Sequence, residues 1–334
     1  MDITLFKTYF KNLDIKEQKM KQSIIILNLI IFLTLIGCDD KYIQDEEQKI
    51  KSQEPINQLY DDLPDISTCY EGVLKDSEKL NALNTINEIR TLHHLKPVEY
   101  NYEEDHLVAK SALISVANAT LNHNPSINSK CYTKEGQLGS NSSNLHIGYQ
   151  NNTDKVYLAD HVIIRFLVDS NTKTIGHRRW ILFPFLKTIA YGRVDAKIGK
   201  YNTMITAITL KVINDEMADI SDTEIEYIAY PYENYPSNYF KHGWYSSFSV
   251  LFDKTDRWKN RNVDYRNAKI TVTDENGKKL SIKSIKYNTD GAGLPNILQW
   301  KISKTKNKKK YRVKIENVLV NGEQRDYSYW FKIF

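Results

Sequence analysis

Residues 174–182 of this chain read TIGHRRWIL and place His177 between a glycine and a strand-like apolar run. A second histidine, His123, stands in LNHNPS (residues 121–126), where the Asn-Pro step predicts a turn. The residues between the two histidines include a predicted amphipathic helix that ends at about Asp169. The two histidines and this aspartate are therefore the first candidates for a functional site.

The apolar pattern changes along the chain from helix to strand. The predicted helices cover about 76–92, 103–120 and 154–169, and the predicted strands that follow cover 188–194, 204–212 and 225–230. From Trp244 to the end every signal is for strands, in about six or seven short runs, which is typical of a small immunoglobulin-like sandwich. The pattern predicts an α+β fold with an all-β domain over 232–334.

Taken in order, these segments resemble the CAP superfamily (cysteine-rich secretory proteins, antigen 5 and pathogenesis-related 1 proteins, also called the SCP domain). The resemblance rests on the His-Asn-Pro turn, a loop ending in Asn-Leu (residues 139–145, GSNSSNL), the acid-bearing helix and GHRRWIL. It is strongest to bacterial secreted members, in which Cys-Tyr-Thr (here residues 131–133) also occurs. The resemblance implies that residues 67–231 form a three-layer α-β-α sandwich, with a cleft that holds two histidines and two acids.

The resemblance also implies which side chains line that cleft. His123 and His177 match the two histidines, and Asp169 matches the acid carried by the helix. The second acid of the family, in Gly-Glu-Asn-Leu, is replaced here by a serine, Ser143. Two imidazoles and one carboxylate could bind zinc (Zn²⁺) with water in the fourth position, so these three residues are the candidate metal ligands. The alternative is a hydrogen-bonded polar cluster that holds no metal.

The two arginines that follow His177 have two interpretations. Adjacent arginines can bind a phosphate group through their planar guanidinium groups. Beside a tryptophan, however, such a pair more often anchors a loop by hydrogen bonds and stacking. We therefore expect Arg178 and Arg179 to be structural anchors rather than a phosphate site.

The N-terminal region resembles a bacterial lipoprotein signal peptide. Residues 24–37 are uncharged and apolar, too short for a membrane-spanning helix, and lysines precede them. The stretch ends in Leu-Ile-Gly-Cys, which resembles a lipobox and implies cleavage before Cys38 and lipidation of Cys38. We therefore predict a signal peptide over 1–37, a flexible acidic tether over 38–66, and attachment to a bacterial membrane at the outer membrane or cell surface.

Composition bounds the partners of the mature chain. The net charge is +5, and removal of residues 1–37, with five lysines and three acids, would leave +3. A balance this even does not indicate nucleic-acid binding. Once Cys38 is lipidated, Cys69 and Cys131 remain, and an even pair in an oxidising envelope predicts a disulfide.

Two functions follow from these features. The first hypothesis is a lipid-anchored envelope protein that is not an enzyme, whose CAP-type domain binds an unknown extracellular or periplasmic ligand or partner, as in lipid binding or adhesion. The alternative is a hydrolase or peptidase that uses His123, His177 and Asp169 with a metal-bound water, or Ser143 as the nucleophile. This second mechanism requires a base within hydrogen-bond reach of the nucleophile.

Overall fold

The computed structural model describes residues 53–151, 155–170, 172–199 and 202–334. The predicted signal peptide, the lipidation site Cys38 and residues 39–52 of the predicted tether lie outside the described residues. Within that part of the chain, every helix falls short of the length and apolar character that a bilayer span requires.

Helices and strands alternate in the first half of the described chain. The helices are α1 (Asp76–Thr91), α2 (Asp105–Ala117), α3 (Lys134–Asn141), α4 (Ala159–Val168) and α5 (Gly176–Ile181). The strands are β1 (Gln53–Pro55), β2 (Tyr60–Asp62), β3 (Val73–Leu74), β4 (Glu99–Tyr100), β5 (Ser143–Gln150), β6 (Lys155–Tyr157), β7 (Thr188–Ile198) and β8 (Thr203–Lys211). The mixed content confirms an α+β fold.

Three of the five helices lie close to their predicted positions, and two differ. Helix α3 occupies a segment predicted as a loop, where Thr133 caps the helix by accepting a hydrogen bond from the Gly136 amide at 3.0 Å. Helix α5 occupies the run predicted as strand-like. The prediction was wrong there because His177, in the first turn of α5, is fixed by a hydrogen bond to the Asp169 carboxylate, which apolar periodicity does not reveal.

The central sheet has the strand order β4-β7-β8-β5, with β7 and β5 antiparallel to β8. Helix α2 lies directly on one face, because a Cβ atom added at Gly192 of β7 would stand 2.3 Å from the backbone of Val108. The next residue, Arg193, points to the opposite face, where it pairs with Glu78 of α1. Helix α1 in turn packs against α4. The sheet therefore carries helices on both faces.

A buried charge network joins the sheet to α1. Arg193 lies 2.6 Å from Asp195 and 2.9 Å from Glu78, and the Tyr60 hydroxyl donates to Asp195 at 2.7 Å. All four side chains are buried. Burial raises the pKa of Glu78 to about 7 against the opposing charge of Arg193. One guanidinium thus serves two buried carboxylates.

The described part of the predicted tether is folded. Strand β1 pairs with β6, β2 pairs with β3, and Leu59 and Tyr60 are buried against Val156 and Met204. The prediction of a flexible tether is therefore wrong for residues 53–66. The acidic, proline-containing composition indicated a solvated segment, but burial of Leu59 and Tyr60 fixes the segment on the domain.

The predicted disulfide is confirmed. Cys69 and Cys131 are bonded across a separation of 62 residues and tie the segment before α1 to the loop before α3. Both residues lie beside the core formed by α2 and β7.

Replacing both cysteines with alanine is expected to lower the free energy of unfolding by about 2–4 kcal/mol, because a loop this long gains much conformational entropy when it opens. Urea denaturation of the oxidised protein and the double variant measures this difference. Adding a reductant should destabilise the wild type by a similar amount and leave the variant unchanged. A reductant effect on the variant would contradict this assignment.

The C-terminal region is all β, as predicted. Its strands are β9 (Tyr227–Tyr230), β10 (Glu233–Tyr235), β11 (Tyr245–Val250), β12 (Val263–Asp264), β13 (Lys269–Asp274), β14 (Ile282–Asn288), β15 (Ile297–Ile302), β16 (Lys310–Val320) and β17 (Glu323–Ile333). One sheet has the order β14-β15-β11-β9, and the other has β10-β17-β16-β12 with β13 also on β16. Aromatic rings of β9 and β11 contact those of β17 between the sheets. Strand β9 belongs to this region although it precedes the predicted boundary at residue 231.

Two adjacent arginines of α5 connect the two regions, and we call their contacts the arginine interface. Arg178 is fully buried and donates to the carbonyl oxygens of Leu167, Val168 and Tyr245 at 2.7–2.9 Å. Arg179 pairs with Asp290 and donates to the Leu294 carbonyl oxygen at 3.0 Å. The interpretation of these arginines as anchors is confirmed, and Gln53–Phe334 forms one compact unit.

Candidate functional site

Asp169 and His177 form a hydrogen-bonded pair between α4 and α5. Asp169 follows α4 in the left-handed conformation, with φ 46°. Its Oδ2 atom accepts from the His177 backbone N–H at 3.0 Å, and its Oδ1 atom lies 3.0 Å from His177 Nδ1. One carboxylate therefore both positions the first turn of α5 and orients the imidazole ring.

The Asp169 carboxylate is held in its ionised form. Its side chain is 3% exposed, whereas the His177 side chain is 29% exposed. Burial alone would raise the pKa of Asp169, but the hydrogen bond and charge of His177, together with Arg178, hold it below its ordinary value. The buried charge therefore fixes the more accessible imidazole, as expected for a positioned polar pair.

His123 takes no part in this pair. Its Nδ1 atom lies 3.0 Å from the backbone oxygen of Ser140, near the end of α3. The described ranges contain no group of three or more His, Cys, Asp or Glu side chains arranged to hold a metal ion. The predicted ligand set of His123, His177 and Asp169 is not among the groups that the described residues form: Asp169 contacts His177, and His123 Nδ1 contacts Ser140.

Ser143 begins β5 and is buried, and its Oγ atom has no hydrogen-bond partner. Neither His123 nor His177 is therefore within hydrogen-bond reach of this hydroxyl. The neighbouring Asn144 donates from Nδ2 to the His177 carbonyl oxygen at 3.1 Å. Strand β5 thus reaches the histidine segment through an asparagine, while the serine hydroxyl is not activated by a base.

A cavity of about 260 Å³ opens between β5 and α4. Its polar and aromatic lining consists of His146, Tyr149, Gln150, Tyr157, His161, Arg165 and Thr206. The rings of Tyr157 and His161 stack at 4.1 Å. Phe166 connects the cavity to the pair, because its ring lies 6.3 Å from His146 and 4.8 Å from His177. The site therefore extends beyond the residues that the sequence suggested.

His146 is the most perturbed group in this cavity. Burial, together with the charges of Arg165 and of His161 and His177, lowers the pKa of His146 to about 3. The imidazole is therefore neutral near pH 7, where it can give and accept hydrogen bonds but is a poor general base. Sequence reasoning missed His146, although the alternation in Asn-Leu-His-Ile places it on the α4 face of β5, opposite Ile147, which packs near α2.

Comparisons with known proteins find a weak structural similarity to a solved CAP domain. No family model and no curated protein matches the chain. The CAP domain of enterococcal PrgA is similar to it, with 11% sequence identity and a TM-score of 0.30, over 54% of this chain and 74% of that chain. A similarity this weak carries no argument about function. We therefore treat membership in the CAP superfamily as a proposal.

Proposed function

We propose that the chain is a lipid-anchored protein of the bacterial envelope, attached through Cys38, with a CAP-type domain and an immunoglobulin-like C-terminal sandwich. The CAP-type domain binds a small ligand in the cavity between β5 and α4, and it is not a hydrolase. The described residues begin at Gln53, so the anchor rests on the sequence pattern around Cys38.

The cavity itself, lined by the half-buried imidazole of His146, the stacked rings of Tyr157 and His161, and Arg165, is the observation that carries the binding function. A group with a pKa of about 3 does not exchange protons near pH 7, but it can hydrogen-bond a ligand without a change of charge. The stacked rings of Tyr157 and His161 offer an apolar wall, and Arg165 is exposed at the rim. This lining fits a small aromatic or apolar molecule that bears an anionic group.

Binding of 2-naphthoate, a flat aromatic carboxylate, tests the proposal. The full chain in a maltoside detergent should give a saturable saturation-transfer NMR signal. Replacing Arg165 with glutamine should weaken binding by about fivefold or more, because a charge-assisted hydrogen bond contributes on the order of 1.5 kcal/mol or more. His146→Phe should weaken it as well. The control Arg325→Gln, on β17, should leave the affinity unchanged.

The hydrolase alternative predicts different results from the same preparation. It requires bound zinc that is lost in His123→Ala, or hydrolysis of casein that is lost in His177→Ala. Either result would replace the binding proposal. Equal affinities for wild type and Arg165→Gln would place the ligand elsewhere.

A further inference from the structure

A second cavity, of about 540 Å³, lies where the end of α1 meets the start of the C-terminal region. His93 and His94 follow α1 and form one side. The rest of the wall includes residues 223–227, Tyr232 and Glu233. None of these side chains belongs to the cavity between β5 and α4.

The ring of Tyr232 stands nearly perpendicular to two other rings in this cavity. The ring of Tyr232 lies 6.1 Å from that of Tyr227 at an interplanar angle of 87°. It lies 5.5 Å from the ring of His94 at 79°. These edge-to-face contacts gather aromatic rings at one side of the cavity, and the face of an aromatic ring attracts ammonium groups.

The charges around these rings are negative. Glu224, Glu226 and Glu233 all line the cavity. Glu233 lies 3.4 Å from His94 Nε2, while neither Glu224 nor Glu226 has a salt-bridge partner within the described ranges. Lys254 donates to the Thr223 carbonyl oxygen, but it lines a neighbouring cavity rather than this one. That neighbouring cavity also includes Glu226, so Lys254 approaches the rim of this one. Among the described residues that line the cavity there are three carboxylates and no lysine or arginine.

Two backbone and side-chain features support a ligand at this place. Glu233 has a positive φ of 50°, an uncommon conformation for a residue with a side chain, and such conformations concentrate at binding sites. His93 is buried in the wall, and its Nε2 atom lies 2.9 Å from the Tyr235 hydroxyl. Its Nδ1 atom makes no hydrogen bond of ordinary geometry, although the backbone of Ala229 is nearby.

We propose that this cavity binds an organic ammonium ion. The faces of Tyr227 and Tyr232 contact the substituents on the nitrogen, and the carboxylates of Glu224 and Glu226 balance its charge. A quaternary ammonium group suits the corner best, because it is large, weakly hydrated and needs no hydrogen-bond acceptor. The proposal does not depend on the ligand of the first cavity.

Choline and its neutral carbon analogue, 3,3-dimethyl-1-butanol, test this site directly. The two molecules have nearly the same shape and differ in charge. Isothermal titration calorimetry of the full chain in a maltoside detergent should show choline binding about tenfold more tightly than the alcohol, because cation–π contacts and the carboxylates act only on the charged molecule. Equal affinities for the two molecules would overturn the proposal. So would a lack of choline binding when choline is at millimolar concentration and in about 50-fold excess over the protein.

Variants separate the rings from the charges. Tyr232→Leu should weaken choline binding by about fivefold or more, whereas Tyr232→Phe keeps the ring and should bind nearly as well. Glu224→Gln, at an exposed position, should weaken binding while the circular dichroism spectrum stays unchanged. Glu323→Gln removes an exposed acid on β17 and is the matched control. Equal losses in Glu224→Gln and Glu323→Gln would show a general charge effect and contradict a specific site.

Discussion

Replacing Arg178 with methionine is expected to lower the free energy of unfolding by about 3–5 kcal/mol. The guanidinium donates to three buried carbonyl oxygens, and it stacks 3.8 Å from the centre of the Tyr230 ring. Methionine fills much of the volume but donates no hydrogen bond, so these carbonyl groups lose their partners inside the protein. Each buried acceptor left without a donor costs on the order of 1–3 kcal/mol.

Urea denaturation, followed by circular dichroism, measures the Arg178→Met effect. The matched control is Arg312→Met on β16, where the side chain is exposed and the change should stay within about 0.5 kcal/mol. Because Arg178 binds carbonyl oxygens of both α4 and the C-terminal region, the wild-type protein should unfold in one transition. Two separate transitions in wild type, or equal stabilities of the two variants, would show that the arginine interface does not couple the regions.

Replacing Arg193 with methionine should have an effect of similar size, about 3–5 kcal/mol at pH 7. The change leaves Glu78 and Asp195 buried on the sheet without their shared positive charge. Burial already raises the pKa of Glu78 in the folded protein, and loss of the Arg193 charge, which lowers that pKa, would raise it further above its value in the unfolded chain. Such a group favours the folded state below the unfolded pKa, and this contribution is lost as the pH rises. The destabilisation should therefore be smaller at pH 5 than at pH 8.

The surface pair Arg266 and Asp264 provides a control of matched spacing. Its two residues are also two positions apart, and Arg266 contacts Asp264 at 2.7 Å, but the Arg266 side chain is 74% exposed. Arg266→Met should cost about 0–1 kcal/mol and show little change between pH 5 and pH 8. An Arg193→Met effect no larger than this, or one that grows at low pH, would contradict the account of the buried network.

Local periodicity was enough to predict the elements whose apolar faces are regular. Helix α1 lies where the sequence predicted it, although its buried side differs from a simple apolar stripe, since Leu80 is 41% exposed while Glu78 and Arg90 are buried. Strand β16 alternates buried and exposed residues along most of its length. The all-β character of the C-terminal region was predictable for the same reason. Periodicity failed at α5, because its N-terminus is organised by Asp169 rather than by its own residues.

The candidate site was predictable only in part. Family resemblance brought Asp169 and His177 together correctly, since both lie close in the chain and flank one short connection. It also placed His123 with them, and the structure shows His123 Nδ1 at hydrogen-bond distance from the Ser140 carbonyl oxygen. His146 escaped notice because its perturbed pKa comes from burial and from charges on α4 and β7, which only the folded sheet brings near.

The arginine interface also bears on how this protein could have arisen. Both halves of the described chain supply groups that the other half buries, and Arg178 sits next to the histidine of the Asp169 pair. A protein that ended at residue 231 would contain Arg178 without the Tyr245 carbonyl oxygen as its acceptor. It would also contain strand β9 without β11, the strand that pairs with it. The two halves are therefore poor units for recombination, and we expect them to be inherited together.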